Sequence, residues 1–315
     1  MRGSVCSRFL LIFLAVALMG CASRNTPQTQ LIRQASEYRQ MMDRQKASAD
    51  EEALKKVPPL TAEGYEKLGD RYFLQGKPDI AFKNYYEALR LEPGQIRVRY
   101  KIGRLFLEKG IQEEAEKEFQ GILEKNSDYA LAHDGLGRVY FAQNKLSKAE
   151  KEFARAIQLD SSLWQAFNFL GIIYDRQKEF KKAFAHYQKA IALQPNVGIL
   201  YNNLGISLFL KGEYDASLEA LIEGEKLDPN NKRILNNLGL LLCKKGRFQE
   251  AFETFKRSGS EASAYYNIGC FYLIEKKYKE AIQSYQKAID AKPEFYVEAY
   301  EKMNKAKAAL ANSSL

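Results

Sequence analysis

The chain has 315 residues, of which 46% are hydrophobic and 28% charged, so it carries enough apolar side chain to form a core. Only 8 prolines and many Ala, Leu, Glu and Lys residues favour helix along nearly its whole length. The formal charge of +9 would suit binding to a polyanion, but the charge is spread over many predicted helices. Such a spread is typical of a solvated surface and disfavours nucleic-acid binding.

The first twenty residues have the pattern of a secretory signal. Arg2 and Arg8 flank the start of an apolar run, residues 9–19, which ends at Gly20 and Cys21. A basic region, a short apolar region and a small residue before the cut describe a signal peptide. These eleven apolar residues are too few to span a bilayer as a helix, which needs about 20. We therefore predict a cleaved signal peptide over residues 1–20.

The residues at the predicted cut, LMGC from Leu18 to Cys21, resemble the lipobox of bacterial lipoproteins, although Met19 is a less usual occupant. The resemblance implies that Cys21 is diacylated and becomes the new N-terminus, so that several buried acyl chains anchor the protein stably to a membrane. Ala22 and Ser23 follow, with no Asp after the cysteine. By resemblance to enteric sorting, this implies a lipid-anchored envelope protein at the outer membrane, facing the periplasm.

Residues 21–61 are predicted to separate this anchor from the folded part. Residues 22–30 are polar and read as a flexible tether. Residues 31–57 favour helix but carry few apolar side chains, which indicates either a surface helix or a loosely ordered segment. Pro58 and Pro59 end this segment.

Beyond Pro59 the sequence repeats itself. A Leu or Ile followed by Gly recurs seven times, and the glycines are 34 residues apart five times and then 30 apart. An Ala or Ser stands twelve residues after each glycine, and a Tyr, Phe or Leu stands sixteen after it. A fixed period of this length indicates stacked supersecondary units. The glycines are Gly69, Gly103, Gly137, Gly171, Gly205, Gly239 and Gly269.

The period and the columns resemble the tetratricopeptide repeat (TPR), in which two helices pack closely across small residues. The resemblance implies an all-α fold, an α-solenoid with a right-handed superhelix. Gly76, Gly110, Gly212 and Gly246 fall between the two helices of their repeats, where a left-handed turn suits glycine. The seven predicted repeats, which together span 62–295, are 62–95, 96–129, 130–163, 164–197, 198–231, 232–261 and 262–295.

Two features lie at and near the end of the predicted array. Residues 296–315 comprise an amphipathic helix with a short tail, expected to cover the apolar face of the last repeat. Repeat six is four residues shorter than the others and ends at Ser258-Gly259-Ser260 without a proline. A shorter second helix is expected to alter the array locally, either as a partner site or as neutral drift.

The sequence predicts a binding protein and not an enzyme. His133 and His186 are far apart and have no companion ligands at metal spacing, so we predict no metal, cofactor or catalytic residue. No phosphate loop or nucleophile motif is present, and we predict no small-molecule substrate. Cys243 and Cys270 lie on the first helices of adjacent repeats, either as core thiols or as a disulfide.

In TPR arrays the first helices line a concave surface, so residues around the Leu-Gly pair are candidates for binding partner proteins. Asn side chains donate and accept hydrogen bonds at once, which suits the backbone of an extended peptide. Arginines suit a carboxylate. Alternatively, Asn at these places bridges helices within the array. The predicted peptide-binding residues are Asn168, Asn202, Asn203, Asn236, Asn237, Asn267, Arg97, Arg104 and Arg138.

The co-chaperone carboxylate clamp of TPR proteins is not reproduced, because the matching places hold Glu66, Asp70 and Lys101. A lipobox, a polar tether and a full-length array resemble the TPR lipoproteins of tight-adherence (Flp-type) and type IV pilus biogenesis. That resemblance implies assistance to a pilus or secretion complex. Two alternatives remain open: an adaptor for peptidoglycan hydrolases or proteases, and a TPR component of exopolysaccharide export.

Overall fold

The computed structural model describes residues 60–292 and 296–313. In that part of the chain every regular element is an α-helix, as predicted. The predicted signal peptide, Cys21 and the tether up to residue 59 lie outside the described residues. The described chain divides into a first unit, residues 60–173, and a second unit, residues 174–292 with 296–313.

The helices come in pairs, and we call the two members of each repeat the A helix and the B helix. Six helices lie wholly in the first unit, and the seventh contains the boundary between the units. They are α1 (Ala62–Leu74), α2 (Pro78–Leu91), α3 (Ile96–Glu108), α4 (Gln112–Leu123), α5 (Ala130–Ala142), α6 (Leu146–Leu159) and α7 (Trp164–Arg176).

The second unit continues the alternation and ends with a single helix. None of the described helices is long and apolar enough to cross a membrane. The remaining helices are α8 (Phe180–Leu193), α9 (Gly198–Lys211), α10 (Tyr214–Leu227), α11 (Lys232–Lys244), α12 (Phe248–Ser258), α13 (Glu261–Ile274), α14 (Tyr278–Asp290) and α15 (Val297–Ser313).

The turn between the A and B helices has one conformation in all seven described repeats. The four glycines predicted to form left-handed turns do so, with φ between 70° and 93°. In repeats three, four and seven the same place is taken by Asn144, Lys178 and Lys276, which also have positive φ. The turn geometry is therefore kept even where the residue pays a steric cost for it.

The repeated glycine is required by the aromatic or leucine side chain sixteen residues later. A Cβ atom on Gly137 would lie 2.7 Å from the Phe153 ring, and one on Gly239 would lie 2.6 Å from the Phe255 ring. Ala149, on the B helix, is fully buried at the same crossing. The glycine thus makes room for a ring of the partner helix, and this ring fills the centre of the repeat.

The short sixth repeat is joined directly to the seventh. Its B helix α12 has 11 residues, and Ser260 then starts α13 with a capping box in which Ser263 is the reciprocal partner. Ser258, the last residue of α12, donates its hydroxyl to Asn236 Oδ1 on the A helix at 2.7 Å. The missing helical turn is therefore replaced by a tight cap between consecutive helices.

Helix α15 lies against the last A–B pair. Its Met303 and Ala306 are buried in one cluster with Cys270, Ala281 and Tyr285. The opposite face of α15 is exposed, including Tyr300 at 44%. The helix thus places small and apolar residues inward and polar residues outward, which suits the end of a repeat array.

Candidate functional site

The predicted binding residues lie on the A helices at a few recurring positions. We count positions from the first residue of each repeat, so that the recurring glycine is position 8. The six asparagines occupy positions 5 and 6, Arg104 and Arg138 occupy position 9, and Arg97 occupies position 2. Side chains at position 6 reach the preceding repeat, as Lys101 does to Glu66. The row of polar side chains is therefore shared between neighbouring A helices.

Between repeats one and two these side chains form a compact ion-pair cluster. Lys101 Nζ donates to Glu66 Oε1 at 2.6 Å and to both Asp70 oxygens at 2.7 Å. Arg97 donates to both Glu66 oxygens, at 2.7 and 2.5 Å, and Tyr85 donates to Asp70 at 2.8 Å. Burial alone would raise the pKa of the Glu66 carboxyl, but the Arg97 and Lys101 hydrogen bonds outweigh it and the pKa is lowered.

Arg97 has a partner within the array. Its guanidinium donates to both oxygens of Glu66, which is only 3% exposed, whereas the Arg97 side chain is 66% exposed. That Arg97 binds a peptide carboxylate stays a prediction, in which the peptide would compete with Glu66 for the guanidinium. The same acidic and basic residues that replace the co-chaperone clamp neutralise one another.

Between repeats two and three the arrangement is different. Asp134 is 2% exposed and receives one ion-pair contact, from Arg138 at 2.8 Å. Burial raises the pKa of the Asp134 carboxyl, and the nearby charges of Arg138 and Arg104 oppose the rise. Arg104 lies over the Phe73 ring at 5.3 Å, and Arg138 lies over the Phe169 ring at 5.5 Å.

In the second unit three asparagines form a chain of hydrogen bonds between repeats five and six. Asn237 Nδ2 donates to Asn202 Oδ1 at 2.8 Å, and Asn202 Nδ2 donates to Asn203 Oδ1 at 3.1 Å. Asn202 is fully buried, whereas Asn203 and Asn237 are half-buried. These amides therefore link one A helix to the next. The sequence analysis left this bridging role open as the alternative to peptide binding.

Burial corrects the prediction for Asn202. A side chain without exposed surface cannot contact a bound peptide, so Asn202 positions its two neighbours instead. Asn168 and Asn267 are half-buried. Asn236 is exposed and accepts a hydrogen bond from Ser258, as described above. The other five asparagines thus keep surface that a partner could reach.

Apolar side chains stand between the asparagines of the second unit. Ile206 and Leu240, both at position 9, are half-buried and lie one helical turn beyond Asn202 and Asn236 on the same A helices. Leu240 and Phe209 pack against the core cluster of repeats five to seven. The A helices of this unit therefore present amide groups and apolar surface side by side.

One polar site was missed by the sequence analysis. Asp175 accepts hydrogen bonds from Ser207 Oγ at 2.6 Å and from Tyr187 OH at 2.8 Å. Burial raises the pKa of the Asp175 carboxyl to about 6, and the two hydroxyls only partly oppose it. The signal was present in the sequence: Asp175 stands at position 12, where the other repeats carry Phe, Leu or Cys.

The cysteines and histidines have structural surroundings. Cys243 and Cys270 are free, buried thiols in two different core clusters, so the disulfide alternative is not what the structure shows. His133 hydrogen-bonds with Glu152 at 2.7 Å, and the His186 ring stacks on Tyr174. Within residues 60–292 and 296–313, no group of three His, Cys, Asp or Glu side chains is arranged to hold a metal ion.

Sequence profiles of one repeat family match this chain. Tetratricopeptide repeat profiles match residues 66–130, 100–163, 164–197 and 262–295, and a TPR repeat profile matches residues 207–246. A comparison with curated proteins finds no match.

Solved structures of bacterial repeat proteins share the fold. A tetratricopeptide repeat protein of Parabacteroides merdae is 15% identical with a TM-score of 0.55, and the match covers 78% of this chain and 98% of that one. The pilF protein of Pseudomonas aeruginosa is 18% identical with a TM-score of 0.54, over 68% of this chain and 96% of that one. TTC0263 of Thermus thermophilus is 18% identical with a TM-score of 0.51, and the match covers 58% of this chain and 100% of that one.

The helix pairs, the crossing glycines and the profile matches agree with one another. The profile matches lie along the stretch in which the structure shows A–B pairs, and the match to residues 207–246 runs from the end of α9 through α10 and α11. Repeats of this kind bind protein partners and are generally without catalytic activity. The chain is a tetratricopeptide-repeat protein, an all-α array that serves as a scaffold for protein–protein interactions.

Proposed function

We propose that this protein is a scaffold of the bacterial envelope that captures extended segments of partner proteins on its A helices and assists assembly of a pilus or secretion complex. The lipobox-like LMGC at Leu18–Cys21 and the polar tether support anchoring at the outer membrane, facing the periplasm. In this proposal the lipid anchors the protein to the membrane, the tether separates the array from the membrane surface, and the array binds the partner.

The observation that carries the binding proposal is the surface of the second unit. There, half-buried Asn203, Asn237 and Asn267 stand at position 6 of three consecutive repeats. An extended segment presents alternating N–H and C=O groups, and an amide side chain can pair with either. Ile206 and Leu240 offer apolar contact for its side chains.

Replacement of Asn203, Asn237 and Asn267 together by Ala tests this surface. We expect partner capture to fall by about tenfold or more, since each lost hydrogen bond contributes on the order of 0.5–1.5 kcal/mol. Affinity for the captured partner and the melting temperature are measured on the same preparations. Some loss of stability is expected, because Asn237 donates to buried Asn202.

Asn202→Ala is the matched control. Asn202 belongs to the same chain of hydrogen bonds but has no exposed surface. It is expected to lower the melting temperature and to weaken capture less than the triple variant does, because it removes no exposed group but takes a hydrogen-bond partner from Asn203 and Asn237. If the triple variant also loses stability but keeps full affinity, the asparagines only bridge repeats and the binding surface lies elsewhere.

The pathway is tested by capture of the lipidated protein from intact cells after crosslinking. Recovery of a secretin or other envelope components of a pilus machine is the expected result. Recovery of cell-wall hydrolases or proteases would instead indicate an adaptor for those enzymes. Recovery of polysaccharide-export components would indicate a role in exopolysaccharide export. Recovery of cytosolic proteins alone would contradict the envelope location.

A further inference from the structure

The A–B turns of repeats four to seven carry charged side chains that lie outside the proposed binding surface. We call positions 13 to 19 of these repeats the turn edge. Lys245 of repeat six pairs with Asp215 of repeat five, and Lys244 pairs with Glu275 of repeat seven at 2.9 Å, so these turns lie side by side. Helix α8 of repeat four packs against α9 of repeat five, which continues the row. The turn edge comprises residues 176–182, 210–216, 244–250 and 274–280.

The positive charge of the second unit is concentrated on the turn edge. The edge has eleven Lys and Arg residues and six Asp and Glu residues, which gives a net charge of +5. The rest of the described second unit has eleven and ten, which gives a net charge of +1. The same positions of repeats one to three, 74–80, 108–114 and 142–148, have four of each and are neutral. The excess is therefore a property of this edge and not of A–B turns in general.

The contact between the turns of repeats four and five shows how this charge arises. Position 14 of one repeat can pair with position 18 of the preceding repeat, as Lys245 does with Asp215. Between repeats four and five both positions are lysine, Lys181 and Lys211. Lys211 pairs instead with Glu213 of its own turn, at 2.5 Å. Two like charges thus replace an ion pair at this contact.

Much of the excess charge is exposed and uncompensated. Five of the six carboxylates of the turn edge pair with a lysine or arginine of the same edge. Five lysines of the edge are exposed and form no ion pair within the part of the chain that the structure describes. Two of them belong to repeat four and three to repeat seven. They are Lys178, Lys181, Lys276, Lys277 and Lys279.

These side chains suit a diffuse anionic surface. A lysine carries a compact charge on a flexible stem, whereas a single carboxylate held in fixed geometry is better matched by a guanidinium. The aromatic residue at position 17 of each of these turns is half-buried. In repeat six this residue, Phe248, packs against Phe271 and Tyr272 at centroid distances of 6.0 and 4.9 Å. The edge therefore offers charge rather than apolar groups for insertion, which fits the headgroups of an anionic leaflet.

We propose that the turn edge of the second unit lies against an anionic phospholipid surface, through the five exposed lysines. This inference rests on the proposed location at a membrane, because the acyl chains would bring the array within reach of the headgroups. The asparagines at position 6 lie on the sides of the same A helices, seven residues before the edge begins. The contact thus orients the array and leaves the asparagines open to a partner. Five lysines give a weak, salt-sensitive contact, so the acyl chains remain the anchor.

The test is sedimentation with vesicles of the full mature chain carrying Cys21→Ser, which has no site for acyl chains. The vesicles are phosphatidylcholine alone or phosphatidylcholine with about 30% phosphatidylglycerol. The protein is expected to sediment with the anionic vesicles at about 50 mM salt and to be released at about 300 mM, because salt screens exposed charges. It is expected to stay in solution with the neutral vesicles.

Replacement of the five lysines together by Gln is the decisive variant. It is expected to lower partitioning onto anionic vesicles by about tenfold or more, since each lysine near the surface contributes to the attraction. The control replaces five exposed lysines elsewhere in the second unit by Gln and so removes the same charge. It is expected to change partitioning by less than about twofold, and both variants should keep the melting temperature. The control lysines are Lys189, Lys232, Lys256, Lys305 and Lys307.

The outcomes separate this inference from the proposed function. Equal binding to neutral and anionic vesicles, or an equal loss in the two variants, overturns the role of the turn edge. Edge-dependent binding to polyglutamate without binding to vesicles overturns the lipid assignment in favour of an acidic protein. The location is tested apart from this, by washing cell membranes at high salt: release of the protein with Cys21 intact would refute the lipid anchor, whatever the vesicles show.

Discussion

At the residue scale, the packing around position 8 explains why all seven repeats have glycine there. At six of these seven glycines, all but Gly171, an added Cβ atom would lie 2.5–2.8 Å from the ring or leucine at position 24. The contact is made by rigid, fully buried side chains such as Phe119 and Phe153, so little adjustment is available. Glycine is therefore kept for packing, in spite of its cost in helix propensity.

Gly137→Ala is expected to lower the free energy of unfolding by about 1–3 kcal/mol, the usual cost of overpacking a core. The added Cβ atom would lie 2.7 Å from the Phe153 ring, and the better helix propensity of Ala offsets only part of that. Urea unfolding measures the change. Gly94→Ala, with nothing within 4 Å of the added atom, is the control and should be nearly neutral.

Asp175 is a second residue whose behaviour follows from its surroundings. Its carboxylate is buried against two hydroxyls, with its pKa raised to about 6. A raised folded-state pKa means that the folded protein binds the proton more tightly than the unfolded chain. The charged form is thus disfavoured by folding, and stability increases as the pH falls from about 7 toward 4.

The measurement compares the wild-type protein with Asp175→Asn by urea unfolding between pH 4.5 and 7.5. Asn keeps an acceptor for one hydroxyl and removes the charge. As the pH rises from 4.5 to 7.5, the wild type is expected to lose free energy of unfolding that the variant keeps. The difference between the two proteins should therefore change by on the order of 2 kcal/mol in favour of the variant. Parallel stability profiles of the two proteins would show that Asp175 does not titrate in this range.

At the scale of elements, the A–B turn is the feature that makes the repeats alike. Its left-handed residue is Gly in four repeats and Asn or Lys in three, with φ of 58° to 64° in those three. The conformation is imposed by the packing of the two helices, because the chain adopts it with or without glycine. Residues other than Gly are strained there.

Lys178→Gly is expected to raise the free energy of unfolding by about 0.5–1 kcal/mol, because Gly adopts positive φ without steric cost. Gly246→Ala is the opposite change in the same turn of repeat six. No atom lies within 4 Å of the added Cβ, so its expected loss of about 1 kcal/mol is purely conformational. Thermal unfolding of both variants checks the sign, and two changes of the same sign would contradict the argument.

At the scale of the whole molecule, the proposed anchor and the array are independent. The described helices include none suited to cross a membrane, and the proposed attachment depends on Cys21 alone. Acyl chains act through their buried CH₂ groups, at about 0.8 kcal/mol each, and do not contribute to the packing of the repeats. Location and fold should therefore respond separately to mutation.

Cys21→Ser is expected to move the protein from the membrane fraction to the soluble fraction. Helical content by circular dichroism and the melting temperature are expected to stay unchanged, since the substitution lies outside the array. Fractionation of cells expressing each form provides the measurement, and Cys243→Ser, at a buried core thiol, is the control that keeps the anchor. A variant that remains in the membrane pellet would refute lipidation at Cys21.

The sequence alone determined the helix pairs, the place of each turn and the crossing glycines, because all three repeat at a fixed period and depend on contacts within one repeat. Gly137 and Phe153, for example, belong to the same repeat. The sequence also supplied the expectation of a lipid anchor, which depends on residues next to one another at Cys21.

The tertiary structure decided which polar side chains of the A helices are available to a partner. Asn202 and Asn203 are adjacent in sequence, yet one is buried and the other half-exposed. Arg97 and Arg104 lie on one helix, yet one is held by Glu66 and the other is not. These differences arise from contacts with the neighbouring repeat, 31 to 35 residues away, as for Lys101 with Asp70 and Asn237 with Asn202. A repeating pattern gives the same prediction for every repeat, whereas these contacts depend on which side chains two particular repeats bring together.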